Sequence, residues 1–395
     1  MILGRNDLAR GAFSSSGSRR SPQSVVHVTE AFGGGVYQML ISIARQQAEA
    51  GVEVVVIASR RADTPELDRI LTDLGEKVTY LEVSGVGLGS QLRQLVQAAR
   101  RQLVRRPETV LHLHSSWAGA ALRLALGWGR TRQRIVYSPH GFSFLREDLS
   151  RTRRLLFTAA ETVLARRCSG LLLASESETS LARNTLHIKR VAIVENTVDL
   201  GTLPARVSRL SEVGPRVVTA GRVTYQKAPW RFSALADALH ESARFEWLGD
   251  GSKSAKDAWL SSESAAQVSG WLAHAELLRR VAAADVFVMT SLWEGMPVAL
   301  IEAQCLGLPA VVTNCVGNRD VVIHGVTGYV VDSDEELVLR VRQLIADPDQ
   351  AEAMGTAALA QRARFSEERL AEGVESAYRR LGALPRVEVP GAMER

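Results

Sequence analysis

Short apolar runs rich in β-branched residues alternate along this chain with longer stretches of helical periodicity, and the alternation occurs twice. Repeated strand, helix and strand predict a parallel sheet with helices on both faces. The pattern restarts at Arg216–Ala220, after a loop stretch at Ser208–Pro215. We therefore predict an α/β protein of two doubly wound, Rossmann-like domains that face each other across a cleft. Such sheets bind ligands beyond the carboxyl ends of their strands, so the cleft suits a reaction of two substrates.

A length of 395 residues exceeds what one ordinary core organises. We predict a first domain at 25–204 and a second at 205–365. An amphipathic helix within 366–385 is predicted to be able to pack back on the first domain. Residues 1–24 are rich in Ser, Gly and Arg and lack an apolar segment, so we expect a disordered leader rather than a signal peptide.

Charge is unevenly distributed along the chain. Residues 1–200 contain 27 Lys and Arg against 18 Asp and Glu, a net charge of +9, whereas the remainder carries −4. The arginines are not interleaved with aromatic residues and no nucleic-acid motif occurs, so nucleic acid is not an expected partner. An anionic membrane surface or a diphosphate-bearing acceptor fits better. The predicted helix Arg151–Arg167 mixes arginine with leucine, which suits either an anionic inner leaflet or an ordinary solvated face.

Cysteine usage and hydropathy indicate the compartment. The three cysteines, Cys168, Cys305 and Cys315, form no CxxC pair and no Cys/His cluster, which argues against disulfides and zinc. No apolar run reaches 18 residues, so no spanning helix is expected. We expect a cytoplasmic protein that is able to lie peripherally at the inner face of the plasma membrane.

The segment Thr290–Pro309 carries the strongest functional pattern. A strand ends, a loop follows, and Pro297 is expected to start a helix. The free amides around Gly295–Val298, which include Met296, would form an anion site at that helix terminus. Glu294 stands at the mouth of this site and Glu302 lies eight residues further on. A carboxylate such as Glu302 is able to accept hydrogen bonds from two ribose hydroxyls at once.

A second segment, Ala220–Pro229, extends two cations from a loop after a strand. Arg222 binds phosphate oxygens as a planar fork, and Lys227 acts as a point charge. Together they would stabilise a leaving diphosphate without a metal ion.

Two further loops follow predicted strands. Gly34 and Gly35 belong to a glycine triplet that lets the backbone approach a ligand, although the triplet is not GxGxxG and predicts no nicotinamide cofactor. His140 precedes a glycine and suits a proton carrier or a hydrogen-bonding group. His112 and His114 alternate on one strand and share a face, so either a place in the cleft or a structural role fits them.

These segments resemble the GT-B glycosyltransferases, in particular the large retaining family 4. Glu294 and Glu302 match its E-x7-E motif, and Arg222 and Lys227 match its G-R-x4-K element. The resemblance implies that Glu294 lies near the donor sugar, that Glu302 binds the nucleotide ribose, and that the two cations bind the donor diphosphate. It also implies that His140 lies against the donor sugar.

Weaker matches support the same resemblance. Gly249 resembles a donor-side loop glycine, and Gly270 lies where the family approaches the nucleobase. Three positions depart from the pattern: Thr197 and Asp320 replace glycine and glutamate, and Ala228 replaces the glycine after the lysine, which we expect to change loop shape. Two literal D-x-D triplets, Asp332–Asp334 and Asp347–Asp349, are better explained by an N-cap at Asp334 and a turn at Asp347, so no metal is expected.

The resemblance implies a retaining, metal-independent glycosyltransferase with a UDP- or GDP-sugar as donor and no cofactor. The expected acceptor is a lipid-linked or saccharide intermediate of envelope or exopolysaccharide synthesis. A nucleotide-sugar epimerase of the same fold and a catalytically silent sugar-nucleotide-binding subunit are the alternatives.

Overall fold

The computed structural model describes residues 22–61, 63–206, 214–260 and 263–384. Most of the predicted leader lies outside these ranges, and the first strand begins at Ser24. Two parallel sheets form the two halves of the chain, which confirms the predicted α/β class with two doubly wound units.

Seven parallel strands form the first sheet, in the order β3-β2-β1-β4-β5-β6-β7. The strands are β1 Ser24–Thr29, β2 Glu53–Ser59, β3 Val78–Val83, β4 Val110–His114, β5 Ile135–Ser138, β6 Gly170–Leu173 and β7 Val191–Ile193. The accompanying helices are α1 Gly34–Glu49, α2 Leu67–Leu74, α3 Leu88–Arg105, α4 Ser116–Leu126, α5 Arg151–Leu164 and α6 Glu176–Asn184. Every residue of β1, β4, β5 and β6 is buried, because helices cover both faces of the sheet.

Six parallel strands form the second sheet, in the order β10-β9-β8-β11-β12-β13. The strands are β8 Arg216–Ala220, β9 Arg244–Leu248, β10 Ala266–Val268, β11 Val286–Met289, β12 Ala310–Thr313 and β13 Gly328–Val331. The helices are α7 Pro229–Leu239, α8 Lys253–Trp259, α9 His274–Ala282, α10 Val298–Cys305, α11 Asn318–Val321, α12 Asp334–Ala346, α13 Pro348–Ala360 and α14 Leu370–Arg380.

The last helix returns to the first sheet. Leu370, Val374 and Tyr378 of α14 belong to the same hydrophobic cluster as Leu40 and Ile43 of α1. Burial of this apolar face anchors the C-terminal segment on the first domain.

Helix caps correct two details of the sequence prediction. Ser333, not Asp334, caps α12 and accepts a hydrogen bond from Glu336 N at 3.2 Å. Asp347 caps the next helix, α13, and accepts from Gln350 N at 3.0 Å. Both D-x-D triplets are therefore placed at helix ends, where a carboxylate or hydroxyl satisfies free backbone amides.

None of the helices within the described ranges is long and apolar enough to cross a bilayer.

Candidate active site

A cleft of about 420 Å³ lies between the carboxyl edges of the two sheets. The loops that follow β1, β5, β8, β9 and β11 line it, as expected for parallel sheets. The predicted site residues that line this cleft are Gly34, Gly35, His140, Arg222, Lys227, Gly249, Glu294, Gly295, Met296, Pro297 and Val298. Gly270 and Glu302 do not line it themselves, but Trp271, beside Gly270, and His274, which contacts Glu302, do.

Each predicted cation already contacts a carboxylate. Lys227 Nζ lies 2.7 Å from Glu294 Oε1, within the second domain. Arg222 Nη1 lies 2.9 Å from Asp63 Oδ2, so this ion pair joins the second domain to the first. A bound anion would therefore compete with carboxylates for both cations.

The loop that carries these two cations ends at Ala228, a residue with a strained backbone. Ala228 has φ 46°, the left-handed conformation that glycine adopts without cost, and Pro229 starts α7 directly after it. Alanine in this position costs about 1 kcal/mol relative to glycine. The replacement of glycine by Ala228 thus leaves a glycine-like backbone, whereas the sequence had suggested a change of loop shape.

Glu294 precedes the N-terminus of α10. The residue is 8% exposed, and Gln226 Nε2 lies 3.3 Å from its Oε2. Helix α10 begins at Val298, one residue later than predicted, and Pro297 is its N-cap. Leu300 N already donates to Pro297 O at 3.2 Å, whereas Val298 and Ala299 precede the first hydrogen bond of the helix and border the cleft, where their amides favour a negatively charged ligand.

Glu302 lies inside α10 and is 5% exposed. His274 Nε2 lies 2.7 Å from its Oε1, and this hydrogen bond raises the pKa of His274. His274 was not singled out from the sequence, since a single histidine at the start of α9 carries no pattern.

The loop with His140 is held in an unusual conformation. His140 has φ 52° and Gly141 has φ 99°. Glu178 Oε1 accepts a hydrogen bond from Gly141 N at 2.9 Å, and its Oε2 accepts from Ala174 N at 2.9 Å. Burial raises the pKa of Glu178 to about 7. Glu178 is a positioning residue that the sequence analysis missed.

The two domains touch at this loop. A Cβ atom on Gly295 would lie 2.9 Å from both Gly141 N and the His140 carbonyl carbon. Any side chain at position 295 would therefore push the domains apart, because backbone atoms cannot move aside locally.

Three buried histidines, His27, His112 and His114, lie behind the cleft and are linked to the half-buried His140, which lines it. His114 Nδ1 lies 2.8 Å from His140 Nε2, and His114 Nε2 lies 3.0 Å from His27 Nδ1. His27 Nε2 lies 2.8 Å from Gln47 Oε1. Burial lowers the pKa of His27 and of His140 to about 4, and the pKa values of His112 and His114 fall well below their usual range. All four imidazoles are therefore neutral at pH 7.

Three of these histidines have the spacing of a metal-ligand set. One ligand nitrogen from each of His27, His112 and His114 lies within 4.8 Å of the others. All six of their ring nitrogens have hydrogen-bond partners, including Tyr378 OH and Ser138 Oγ, each 2.9 Å from His112. A metal ion would have to displace these bonds, so the donor set fits a polar network better than a metal centre. Neither His112 nor His114 lines the cleft.

Two protein-family models match this chain and together span most of it. The model described as Glycosyltransferase Family 4 matches residues 33–202, and the model described as Glycosyl transferases group 1 matches residues 205–361.

One curated relative is the UDP-Gal:alpha-D-GlcNAc-diphosphoundecaprenol alpha-1,3-galactosyltransferase of Escherichia coli, which is 26% identical to this chain over 247 residues. The match covers 57% of this chain and 63% of the relative, so it spans less than two thirds of the relative's length.

Solved structures share the arrangement of both domains. Sucrose-phosphate synthase from Thermosynechococcus elongatus has a TM-score of 0.76 at 16% identity, over 91% of this chain and 99% of its own. Anabaena Alr3699/HepE in complex with UDP and glucose has a TM-score of 0.72 at 18% identity, over 90% and 99% of the two chains. Identities this low show a shared fold alone.

Proposed function

Because the chain belongs to the GT-B glycosyltransferases of the family 4 type, we propose that it transfers a sugar from a nucleoside-diphosphate sugar to an acceptor hydroxyl. The observation that carries this proposal is the convergence of Arg222, Lys227, Glu294 and His140 on one cleft between two parallel sheets. Two cations and the N-termini of α1 and α10, which border the cleft at Gly34 and Val298, match the charge of a diphosphate.

The second domain would hold the donor. Arg222, Lys227 and the first-turn amides of α10 would bind the diphosphate and stabilise the charge that develops as it leaves. These groups supply positive charge from the chain itself, which supports metal-independent transfer. Glu302 would bind the ribose through Oε2, since His274 already occupies Oε1.

The first domain would hold the acceptor and present His140 to the donor sugar. The contact between Gly141 and Gly295 brings the domains together at this point, where closure would exclude water and align the acceptor hydroxyl with the anomeric carbon. We propose retention of configuration through attack on the same face as the departing diphosphate. This proposal is supported by the family to which the chain belongs.

The acceptor is proposed to be lipid-linked. The E. coli relative is named for transfer to a sugar on diphosphoundecaprenol. The test is incubation of the protein with sugar-labelled UDP and GDP donors and a polyprenyl-diphosphate-linked sugar, followed by NMR of the product. A new glycosidic bond with the anomeric configuration of the donor supports the proposal. An inverted bond contradicts retention, and donor conversion without acceptor would identify an epimerase instead.

Asp63 limits donor binding in this scheme, because it holds Arg222 across the cleft. Replacing Asp63 by asparagine is expected to tighten UDP or GDP binding by about threefold, the scale of one part-exposed ion pair. Isothermal titration calorimetry of D63N measures this effect, with Asp68→Asn on the exposed face of α2 as the control. Weaker binding by D63N would show that Asp63 serves the donor directly.

A face of the first domain has the chemistry of an anionic bilayer surface. On α5, Leu155 is 69% and Leu156 is 65% exposed, and Arg151 and Arg153 beside them are also exposed. Trp117 at the start of α4 is 47% exposed and packs on Phe157 of α5 with ring centroids 5.9 Å apart. Both helices start at the carboxyl edge of the sheet, where the cleft opens. We propose that this face docks at the inner leaflet and presents the cleft to a lipid-linked acceptor.

Replacing Leu155 and Leu156 together by serine is expected to lower affinity for phosphatidylglycerol vesicles about tenfold or more, since two apolar side chains would no longer enter the bilayer. Vesicle co-sedimentation measures this affinity. The matched control is Leu339→Ser, because Leu339 is a 55% exposed leucine on α12 of the other domain. Equal binding by all three proteins would exclude this docking face.

A further inference from the structure

One continuous chain of hydrogen bonds joins a backbone carbonyl of β6 to the ring of His140. Its members in order are Leu172 O, Ser138, His112, Tyr378, Gln47, His27, His114 and His140, with successive atoms 2.7 to 3.4 Å apart. Seven of these eight residues do not line the cleft, His140 being the exception, and the chain runs through the buried interior of the first domain. The positions of the protons at the Leu172 end of this chain therefore determine which ring nitrogen of His140 carries a proton at the cleft end.

The inner end has only one possible direction. The Leu172 carbonyl oxygen accepts but cannot donate, so Ser138 Oγ uses its proton on that oxygen at 2.7 Å. Ser138 Oγ must then accept from His112, whose Nε2 lies 2.9 Å away. A neutral imidazole with its proton on Nε2 has an acceptor at Nδ1.

The same direction of hydrogen-bond donation continues from Tyr378 to Gln47. The Tyr378 hydroxyl donates to His112 Nδ1 at 2.9 Å, so the hydroxyl oxygen accepts from the Gln47 amide nitrogen, 3.4 Å away. The Gln47 amide is thereby oriented with Oε1 towards His27. The donors and acceptors around this side chain therefore fix which end of the Gln47 amide faces which partner.

The directions of the hydrogen bonds between Gln47 and His140 follow from the same assignment of donors and acceptors. Gln47 Oε1 is a pure acceptor, so His27 carries its proton on Nε2 and accepts at Nδ1. His114 then donates from Nε2 to His27 and accepts at Nδ1 from His140 Nε2. His140 Nδ1 makes no hydrogen bond to any other described residue.

We propose that Gln47, His27 and His114 are positioning residues that hold His140 as the Nε2–H tautomer and keep its Nδ1 as an unprotonated acceptor for a hydroxyl of a bound sugar. The sugar hydroxyl in this inference rests on the proposed function, whereas the tautomer does not. The reverse direction would leave the Ser138 and Leu172 oxygens facing each other at 2.7 Å without a proton between them. The neutral forms of all four histidines carry one ring proton each, as the directed chain requires.

The test is NMR of the full chain labelled with 15N only in histidine, with the His140 signals assigned by their loss in His140→Gln. In the wild-type protein at pH 7, the ring nitrogen shifts and one-bond couplings of His140 are expected to place the proton on Nε2. A proton on Nδ1 of wild-type His140 would overturn the proposal without any variant. The measurement uses no substrate, so its result does not depend on whether the protein transfers sugar.

Three variants at Gln47 and Ser138 test whether these distant residues determine the tautomer of His140. Gln47→Met removes the acceptor of the His27 Nε2 proton and is expected to move proton occupancy at His140 towards Nδ1, whereas Gln47→Glu keeps an acceptor for His27 and is expected to keep Nε2–H. The matched control is Gln304→Met, because Gln304 is a buried glutamine of the second domain that donates to two backbone carbonyls. If Gln47→Met fails to fold, Ser138→Ala removes the anchor at Leu172 and is expected to produce a mixture of tautomers. An unchanged His140 in the folded variants, or an equal change in Gln304→Met, would overturn the proposal.

Turnover provides a second readout. A lost hydrogen bond to a sugar hydroxyl is expected to lower kcat/KM for the donor about tenfold in Gln47→Met, with recovery of most of this loss in Gln47→Glu. A loss of equal size in both variants would show a purely structural role for Gln47.

Discussion

Replacing Lys227 by alanine is expected to lower kcat/KM for sugar transfer by about a hundred- to a thousandfold, the scale on which one preorganised charge at a transition state acts. Lys227 lines the cleft and is the cation that pairs with Glu294 within the same domain. Its removal would take positive charge away from the leaving diphosphate. Steady-state kinetics with the identified donor measure the effect, and Lys189→Ala at an exposed position outside the cleft is the control.

Loss of folding must be separated from loss of chemistry in this experiment. Lys227→Ala leaves the Glu294 carboxylate, 8% exposed, without its cation, which destabilises the protein. The double variant Lys227→Met with Glu294→Gln removes both charges and is expected to recover stability but not turnover. Recovery of turnover in the double variant would show that Lys227 only neutralises Glu294.

Acid is expected to destabilise the fold steeply between about pH 6.5 and pH 5. The pKa values of His27 and His140 lie at about 4 in the folded protein, below the ordinary value of 6.5, and burial also lowers the pKa values of His112 and His114 well below 6.5. In this window the unfolded chain binds protons at these four histidines that the folded protein does not, so they lower the free energy of unfolding as pH falls. Glu178, with a folded pKa of about 7, opposes them with a single proton. Each such histidine contributes a slope of about 1.4 kcal/mol per pH unit. The four together contribute a slope of about 5 kcal/mol per pH unit near pH 5.

Urea titrations at several pH values between 6.5 and 5 measure this slope. Replacing His27 by glutamine removes one of the four groups and is expected to reduce the slope by about 1.4 kcal/mol per pH unit. His240→Gln, at the exposed end of α7, is the control because His240 does not contact the network. An equal slope in wild type and His27→Gln would mean that the buried histidine accepts protons in the folded state.

Much of the architecture follows from local sequence patterns. The strand Arg216–Ala220 occurs with the predicted bounds: four of its five residues are buried, and a strand covered on both faces is a nearly continuous apolar run. Helix α4 was not predicted: its apolar residues lie close together without clear amphipathic spacing. Its N-terminus is instead stabilised by Glu30, whose carboxylate accepts from Ala118 N at 2.8 Å.

The cleft residues that follow strands were also accessible from the sequence. Glu294, Arg222 and His140 each come directly after an apolar run, and the carboxyl ends of parallel strands meet at one edge. The distance of Glu302 and Gly270 from the cleft could not be predicted from the sequence, because it depends on how the neighbouring elements pack. The position of Glu302 behind His274 depends on α9, a separate element.

The buried network could not be found by sequence reasoning. Its hydrogen bonds join residues far apart in the chain: 87 positions separate His27 from His114, and 331 separate Gln47 from Tyr378. The alternation of His112 and His114 correctly indicates a shared face, but only the return of α14 to the first sheet brings Tyr378 to that face. Long-range packing, rather than local pattern, determines the protonation of His140.

The most direct test of a metal-free nucleotide-sugar site in the cleft is a thermal-shift screen against UDP-, GDP-, ADP- and TDP-sugars with EDTA present. A ligand that binds only the folded protein raises its melting temperature. The expected result is a rise with one nucleotide class in EDTA that is lost in Arg222→Ala and in Glu302→Ala. Absence of a rise with every donor, or a rise that both variants retain, would contradict the donor site described here.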